Sequence, residues 1–523
     1  MVRSAHFVPE NPTRLAPLLG ALSLATDLGA GNPPESALRT AVIATRIALA
    51  LRISGPALTD VYYTALLRYL GCTGYAHEEA TLAAGDDLDF LATFQAADAT
   101  DARAFLGLTV GKLAKGKPLA ARAGAVAKTL AAKGAYAELA RAHCEQAVAL
   151  GAHLEVGAGV VTALGDMYER HDGRGAPRGL AGVAIALPAR VLMLAQAVEV
   201  FSRVGGSKAA VAVARARRGT NFDPELADAF LAHAPEITDA AAAPSVWDAF
   251  LALEPAPHKV LEDERVDELA LAFARYVDLK SPFTLGHSTG VARLATLAAA
   301  KAGTSETHAR RLVRAALLHD LGRVSVPNGI WDKPGPLNAA ERERVRLHAY
   351  HSERILAQTP SLASLAPLVG GHHERLDGSG YHRGANVTGL EPAARLLAAC
   401  DVYQALVEAR PHRAALAPEA AARELRALAT EGKLDADAVA AVLEAAGHAA
   451  TRARKAWPAG LTDREVEILV LVARGLSNKE IGKALHISPV TAKNHVAHIF
   501  EKTGVATRAA AALYAVTNAL VET

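Results

Sequence analysis

Seven side chains able to ligate a metal are spread between residues 287 and 401: His287, the pair His319 and Asp320 in LLHDLGR, His348, the pair His372 and His373 in HHERLDG, and Asp401 in DVYQAL. Imidazole nitrogens mixed with carboxylate oxygens suit divalent iron, manganese or zinc, and do not suit the all-oxygen cages of calcium or magnesium. A lone histidine or a lone His-Asp pair is commonplace, so these residues carry weight only as a set. His351, one helical turn beyond His348, reads either as a reserve ligand or as a surface histidine.

The elements that must position this set emerge from an internal repeat. The stretch MYERHDGRGAPRGLAGVAIALPARVLMLAQAVEVF from Met167 lies without a gap over HHERLDGSGYHRGANVTGLEPAARLLAACDVYQAL from His372. ALLRYLGCT from Ala65 matches ALLHDLGRV from Ala316, and GTNFDPELADAFL from Gly219 resembles EGKLDADAVAAVL from Glu431. Two copies of one helical unit follow, the first with an insertion between Thr73 and His143 that reads as one or two extra helices. Glu169, Arg170, Asp172, Gly173, Gly175, Arg178 and Gly179 match Glu374, Arg375, Asp377, Gly378, Gly380, Arg383 and Gly384. This loop pattern therefore builds a turn with or without a metal, its glycines permitting positive φ. The ligand chemistry differs. Arg68 and Tyr69 stand opposite His319 and Asp320, Met167 and Tyr168 opposite His372 and His373, Gln196 opposite Asp401, and Ser36 falls near His287; only His143, opposite His348, survives. The first copy is degenerate and reads as scaffold, dimer surface or sensor.

In this order and at these intervals the second-copy motifs resemble the HD-GYP branch of the HD phosphohydrolase superfamily, over residues 280 to 445. The resemblance implies a metal-dependent phosphohydrolase acting on a cyclic dinucleotide, usually cyclic di-GMP. It places His287, His319, Asp320 and Asp401 on one metal and His348, His372 and His373 on a second, with Asp320 bridging. Such a cation pair makes water nucleophilic at neutral pH and neutralises charge on a phosphoryl oxygen, which is phosphodiester hydrolysis. Three-metal members carry an acid four residues before the first histidine; Phe283 stands there, so two divalent ions are expected. Asp320 and Arg323 are the implied catalytic residues, and Arg323, Arg410 and Arg413 the candidates for substrate phosphates. For Arg410 and Arg413 a solvated basic rim is the alternative. Arg323 replaces the family's lysine with a planar fork, His382 replaces the proline of GYP, and the RPYR segment is Arg410, Pro411, His412 and Arg413. These departures leave three outputs open: regulation of transcription through a domain that hydrolyses or senses the nucleotide, hydrolysis as the main output, and non-catalytic sensing.

The last stretch runs LTDREVEILVLVARGLSNKEIGKALHISPVTAKNHVAHIFEKTGVATRAAAALYAV from Leu461. Val466, Leu469, Val470 and Ala473 form one helical face, Gly475 ends that helix, Ser477 and Asn478 start the next, and Ser488 with Pro489 opens a third. It resembles the LuxR-type helix-turn-helix DNA-binding domain along its whole length. The resemblance sends the helix from Pro489 into the major groove of promoter DNA, with Thr491 and Lys493 at phosphates and Lys493, Asn494, Ala497 and His498 facing bases. Lys479 and the linker residues Arg452 and Arg454 add backbone charge. Leu513, Val516 and Leu520 offer a homodimer face, which would let two half-sites be read.

Composition frames these parts. Alanine is heavily used and only 5% of residues are aromatic, which favours helices. The fold class expected is mostly α: two tandem HD-type helical domains, the first degenerate, followed by a LuxR-type helix-turn-helix bundle. The divisions are 12–240 for the first copy, 245–283 for a linker and connecting helix, 284–447 for the second copy, 448–459 for a basic linker and 460–523 for the DNA-binding unit. A net charge of +2 is too small to bind nucleic acid through bulk charge, so a local patch must do it. Cys72, Cys144 and Cys400 lack disulfide or metal spacing, no secretory signal is visible, and Pro188, Arg190, Gln196 and Glu199 interrupt the most apolar run, residues 180–201. A cytoplasmic protein without a membrane span is expected.

Overall fold

The computed structural model describes residues 13–73, 76–83, 86–95, 134–449, 457–518 and 520. Helices dominate these residues, and the sole sheet among them pairs Thr13–Arg14 antiparallel with Val260–Leu261. The chain divides into two compact units between Ala450 and Thr451. Arg452 and Arg454 lie outside the described residues.

Within the first unit the repeat is structural. Ser36 begins helix Ser36–Ala50 and His287 begins helix His287–Lys301; each follows a residue with positive φ, Glu35 at 70° and Gly286 at 78°. The paired turns also coincide. Glu169 accepts from the main-chain N–H groups of Arg178 and Leu180, and Glu374 from those of Arg383 and Ala385. A single bridge closes each turn, Asp172 to Ala181 and Asp377 to Asn386. Gly71 and Gly322 occupy a second shared constraint: a Cβ at either would collide with the carbonyl of His143 or His348 respectively. The glycine of LLHDLGR thus lets the helix bearing His348 press against the turn bearing Asp320, whether or not the copy keeps its ligands.

Buried apolar residues from Leu15 to Leu443 form one continuous core drawn from both copies. Between the copies, the expected connecting helix spans Asp263–Asp278, because Val260 and Leu261 before it are taken up by the short sheet. Asp263 and Glu264 in its first turn complement the helix dipole. The apolar run at 180–201 lies mostly in helix Leu187–Ala216, whose backbone leaves helical geometry at Gly205 and Gly206. Among the described residues no helix is long and apolar enough to cross a membrane. All three cysteines are buried and free.

The second unit contains helices Asp463–Ala473, Asn478–Ala484, Pro489–Thr503 and Arg508–Thr517. Thr462 with Glu465, and Ser477 with Glu480, form capping boxes, each cap worth about 0.5–2 kcal/mol. Gly504, in the left-handed region, ends the third helix. Leu520 packs on this unit's own core, so its apolar surface is partly spent there; the side chains of Leu513 and Val516 lie outside the described residues.

Candidate functional site

The seven candidate ligands converge. His287 and His319 stand at helix ends, His348 within helix Ala339–Leu356, His372 and His373 just after helix Ala366–Gly370, and Asp401 within helix Pro392–Val407. Their side chains are at most 6% exposed, except His373 at 20%. Asp320 divides its two oxygens. Oδ2 faces His319 Nε2 at 3.5 Å and His287 Nε2 at 3.8 Å, while Oδ1 faces His348 Nε2 at 3.2 Å and His372 Nε2 at 3.8 Å. Asp401 divides too, with Oδ1 at 3.2 Å from His287 Nε2 and Oδ2 at 3.5 Å from His373 Nδ1.

The tautomers of this cluster test whether a cation fits. His319, His348 and His372 each turn Nδ1 to the carbonyl three residues earlier, that of Ala316, Val345 and Val369. A nitrogen facing a carbonyl must carry the proton, which leaves Nε2 of each ring as a lone pair directed inward. His348 Nε2 and His372 Nε2 then oppose each other at 3.3 Å, and His319 Nε2 finds no hydrogen-bond partner among the described residues. Inward lone pairs beside two carboxylates are the donor set a divalent cation completes. Three overlapping groups meet that requirement: His287, His319 and Asp401; His319, Asp320 and His372; and His348, His372 and His373.

The electrostatics agree. Burial alone would raise the Asp320 and Asp401 carboxyls, but the surrounding imidazoles, with Arg323 at Asp320, hold both well below the usual carboxylate range. Burial, reinforced by His319 and His348, pushes His372 down to about 3, and His373 is lowered for similar reasons. His287 goes the other way: burial lowers it, yet hydrogen bonds to Asp401 and Glu408 raise it to about 9.

Glu408 escaped the sequence reading. Its Oε2 lies 2.8 Å from His287 Nδ1, its Oε1 accepts from Gln404, and Arg410 donates to Oε2 at 2.8 Å. His287 opens its helix, and its side chain uses this carboxylate where the rings of His319, His348 and His372 use carbonyls of their own segments. The signal was spacing: Glu408 follows Asp401 by seven residues, two helical turns along the same face.

The arginines separate. Arg323 donates to Asp320 Oδ2 at 3.0 Å and stacks 4.0 Å over the Trp331 ring, placing it beside the cluster. Arg410 sits at its edge, tied to Glu408 and to the Phe283 carbonyl. Arg413 is not brought to the cluster. Its guanidinium donates to the carbonyls of Ala405, Leu406 and Glu408 at the end of helix Pro392–Val407 and to that of Ala414 beyond it. His351 stands outside the three ligand groups, against Gly322.

In the first copy, a guanidinium lies at the equivalent centre. Arg68 donates to Gln196 Oε1 at 2.6 Å and to Met167 Sδ at 3.3 Å, and lies 4.5 Å from the centre of the Tyr168 ring. His143 pairs with the Tyr168 hydroxyl at 2.8 Å. The counterparts of the ligands still meet, around a fixed organic cation.

In the second unit, helix Pro489–Thr503 buries Ala492, Val496 and Ile499 and exposes Thr491, Lys493, Asn494, Ala497 and His498; Lys479 is exposed on the preceding helix. Val490, at 67% exposed, lies on the same outward face and was not anticipated.

Fold and site together define a helical protein with a duplicated helical module, whose second copy carries a histidine–aspartate cluster, and a helix-turn-helix unit. The chain belongs to the HD domain family, whose model matches residues 126–226 and 272–438, so that both copies take part. Residues 459–515 match the model of bacterial regulatory proteins of the luxR family. The chain is 33% identical over 413 residues to a 3'3'-cGAMP-specific phosphodiesterase 3 of Vibrio cholerae serotype O1, covering 78% of this chain and 90% of that protein. A cyclic di-GMP phosphodiesterase response regulator of Xanthomonas campestris is 33% identical over 161 residues, 30% of this chain and 43% of that protein. The crystal structure of a cyclic GMP-AMP specific phosphodiesterase of V. cholerae superposes with a TM-score of 0.58 at 28% identity, covering 84% of this chain and 98% of that one.

Proposed function

We propose that this chain is a DNA-binding regulator whose second HD copy hydrolyses a 3'3'-linked cyclic dinucleotide. Cyclic GMP-AMP is the favoured substrate and cyclic di-GMP the second. The observation that carries the reading is the set of inward imidazole lone pairs around Asp320 and Asp401. His287, His319, Asp320 and Asp401 would hold one divalent ion and His348, His372 and His373 a second, with Asp320 shared. Bound there, such ions supply an activated water and neutralise charge at the phosphorus. The chain's own residues do the rest. Asp320 and Asp401 stay ionised at neutral pH, and Arg323 presents a fixed positive fork at the cluster's margin for a phosphate oxygen. Similarity to a cGAMP-specific relative over 90% of that protein's length supports the first substrate.

The second unit would read promoter DNA through helix Pro489–Thr503, as a dimer on two half-sites, with Lys479, Thr491 and Lys493 at phosphates and Lys493, Asn494, Ala497 and His498 at base edges. Val490 would add an apolar contact for a thymine methyl. The deciding experiment assays the purified chain, loaded with manganese or iron, against both cyclic dinucleotides, then repeats the assay with His319→Ala plus Asp320→Ala. Turnover lost in the double variant supports the reading. No turnover by the metal-replete wild type removes hydrolysis, and binding without turnover leaves a sensor. DNA affinity indifferent to nucleotide removes the coupling.

A further inference from the structure

The insertion of the first copy reaches the site of the second through buried charge. Asp87, at the start of helix Asp87–Phe94, is fully buried; it accepts from Lys280 Nζ at 2.9 Å and from the main-chain N–H of Asn328 at 2.7 Å. The Asn328 side chain returns a bond to the Lys280 carbonyl. Asn328 opens the single-turn helix Asn328–Trp331. A helix of one turn has no stability of its own and is held by its surroundings. At its end, the Trp331 indole donates Nε1–H to the Arg323 carbonyl at 3.1 Å while its face carries the Arg323 guanidinium. The next residue, Asp332, is gripped by Ser281 Oγ at 2.6 Å and by His77 Nδ1 at 2.8 Å, and His77 also comes from the insertion.

We propose that Asp87 and Trp331 are positioning residues for Arg323, so that the metal-free first copy sets how the second copy engages a substrate phosphate. This rests on the phosphodiesterase reading above. Stacking occupies only the π face of the guanidinium, so the indole fixes the plane of the fork without consuming its in-plane donors, one of which goes to Asp320 Oδ2. Asp87 holds the indole by anchoring the first residue of its helix. It also neutralises Lys280, whose side chain is 2% exposed; an unpaired cation there would force the segment to rearrange.

The test uses full-length, metal-loaded protein with 3'3'-cyclic GMP-AMP. Trp331→Ala, and Asp87→Asn combined with Lys280→Met to avoid stranding a charge, should raise KM by on the order of tenfold, with helical content and metal content unchanged. In an Arg323→Ala background the same substitutions should add less than about twofold, because the group they position is gone. An independent reading takes the fluorescence of Trp331 with Trp247 and Trp457 replaced by Phe: Asp87→Asn combined with Lys280→Met should shift its emission to longer wavelength as the indole gains water. Full additivity with Arg323→Ala, unchanged KM in folded variants, or unmoved emission overturns the proposal while leaving the phosphodiesterase reading intact. A wild type that neither binds nor hydrolyses the nucleotide fells that reading, and this role with it.

Discussion

His348 Nε2 and His372 Nε2 stand 3.3 Å apart with their protons committed to carbonyls on the far side of each ring. Two lone pairs so placed repel until a cation lies between them, so the fold has stored a binding preference that a metal relieves. Stripping metal with a chelator should therefore lower the unfolding temperature of the first unit, and adding manganese or zinc at 100 times the dissociation constant should restore about 2.7 kcal/mol. Calorimetry with and without chelator checks this. With two ions held as proposed, His372→Ala should cut metal content to one per chain.

Glu408 fixes His287 with Nδ1 toward the carboxylate, which leaves Nε2 to the cluster. Carboxylates of this kind typically govern metal affinity by 10- to 100-fold. Glu408→Gln keeps the shape and most hydrogen bonds but loses the charge that raises ligand basicity. Metal affinity, measured by titration calorimetry, should fall by about that range with the fold unaffected.

The metal-free protein should be acid-sensitive above the carboxylate range. His372, His373 and His319 are all held below their ordinary value, mainly by burial. The unfolded chain therefore binds more protons than the fold below about pH 6.5, and stability falls as pH falls. His287 opposes this: raised to about 9, its pairing is fully present below about pH 6.5 and is lost as pH rises through 9. Three lowered groups outnumber one raised one. Unfolding temperature in chelator should drop from pH 7 to pH 5, and less steeply in His372→Ala.

Much of this was legible in the order of residues because the chain carries its own control. Laying Met167 over His372 separated the turn that both copies build from the ligands that one copy keeps, and the fold repeats the shared turn down to the bonds of Glu169 and Glu374. Chain caps were legible too, since Ser477 and Ser488 signal helix starts by local chemistry. What escaped depends on contacts across long separations. Asp87 meets Lys280 over 193 residues, and no periodicity encodes such a pair. Arg413 was ambiguous for a different reason: a cation near a phosphate site and a cation bonded to helix-end carbonyls look alike in sequence.

Arg68 makes a prediction about the first copy. It is a buried cation bonded to an amide and a thioether rather than to a carboxylate. Arg68→Met should cost about 1–3 kcal/mol by leaving the Gln196 carbonyl unpaired, and adding Gln196→Leu should recover most of it. Both variants should keep the metal content of the wild type, since every proposed ligand lies in the second copy. Thermal unfolding and elemental analysis read the two effects separately.

Contacts of two kinds are expected on helix Pro489–Thr503, and salt tells them apart. A cation at a phosphate releases counterions, so removing it weakens binding to every sequence and flattens the salt dependence; a base-edge contact affects the preferred operator alone. Lys479, exposed on the neighbouring helix, should behave purely in the first way: Lys479→Ala should reduce the slope of log affinity against log salt by about one and leave sequence preference intact. Asn494→Ala should leave the slope unchanged and cost about 1–3 kcal/mol on the preferred site, with relaxed preference at one base pair. Lys493, exposed on the same helix, is proposed to do both, so Lys493→Ala should change slope and preference together. Binding titrations on selected and scrambled duplexes at several salt concentrations would separate the three, and identical behaviour of Lys479→Ala and Asn494→Ala would mean that this helix does not enter the groove.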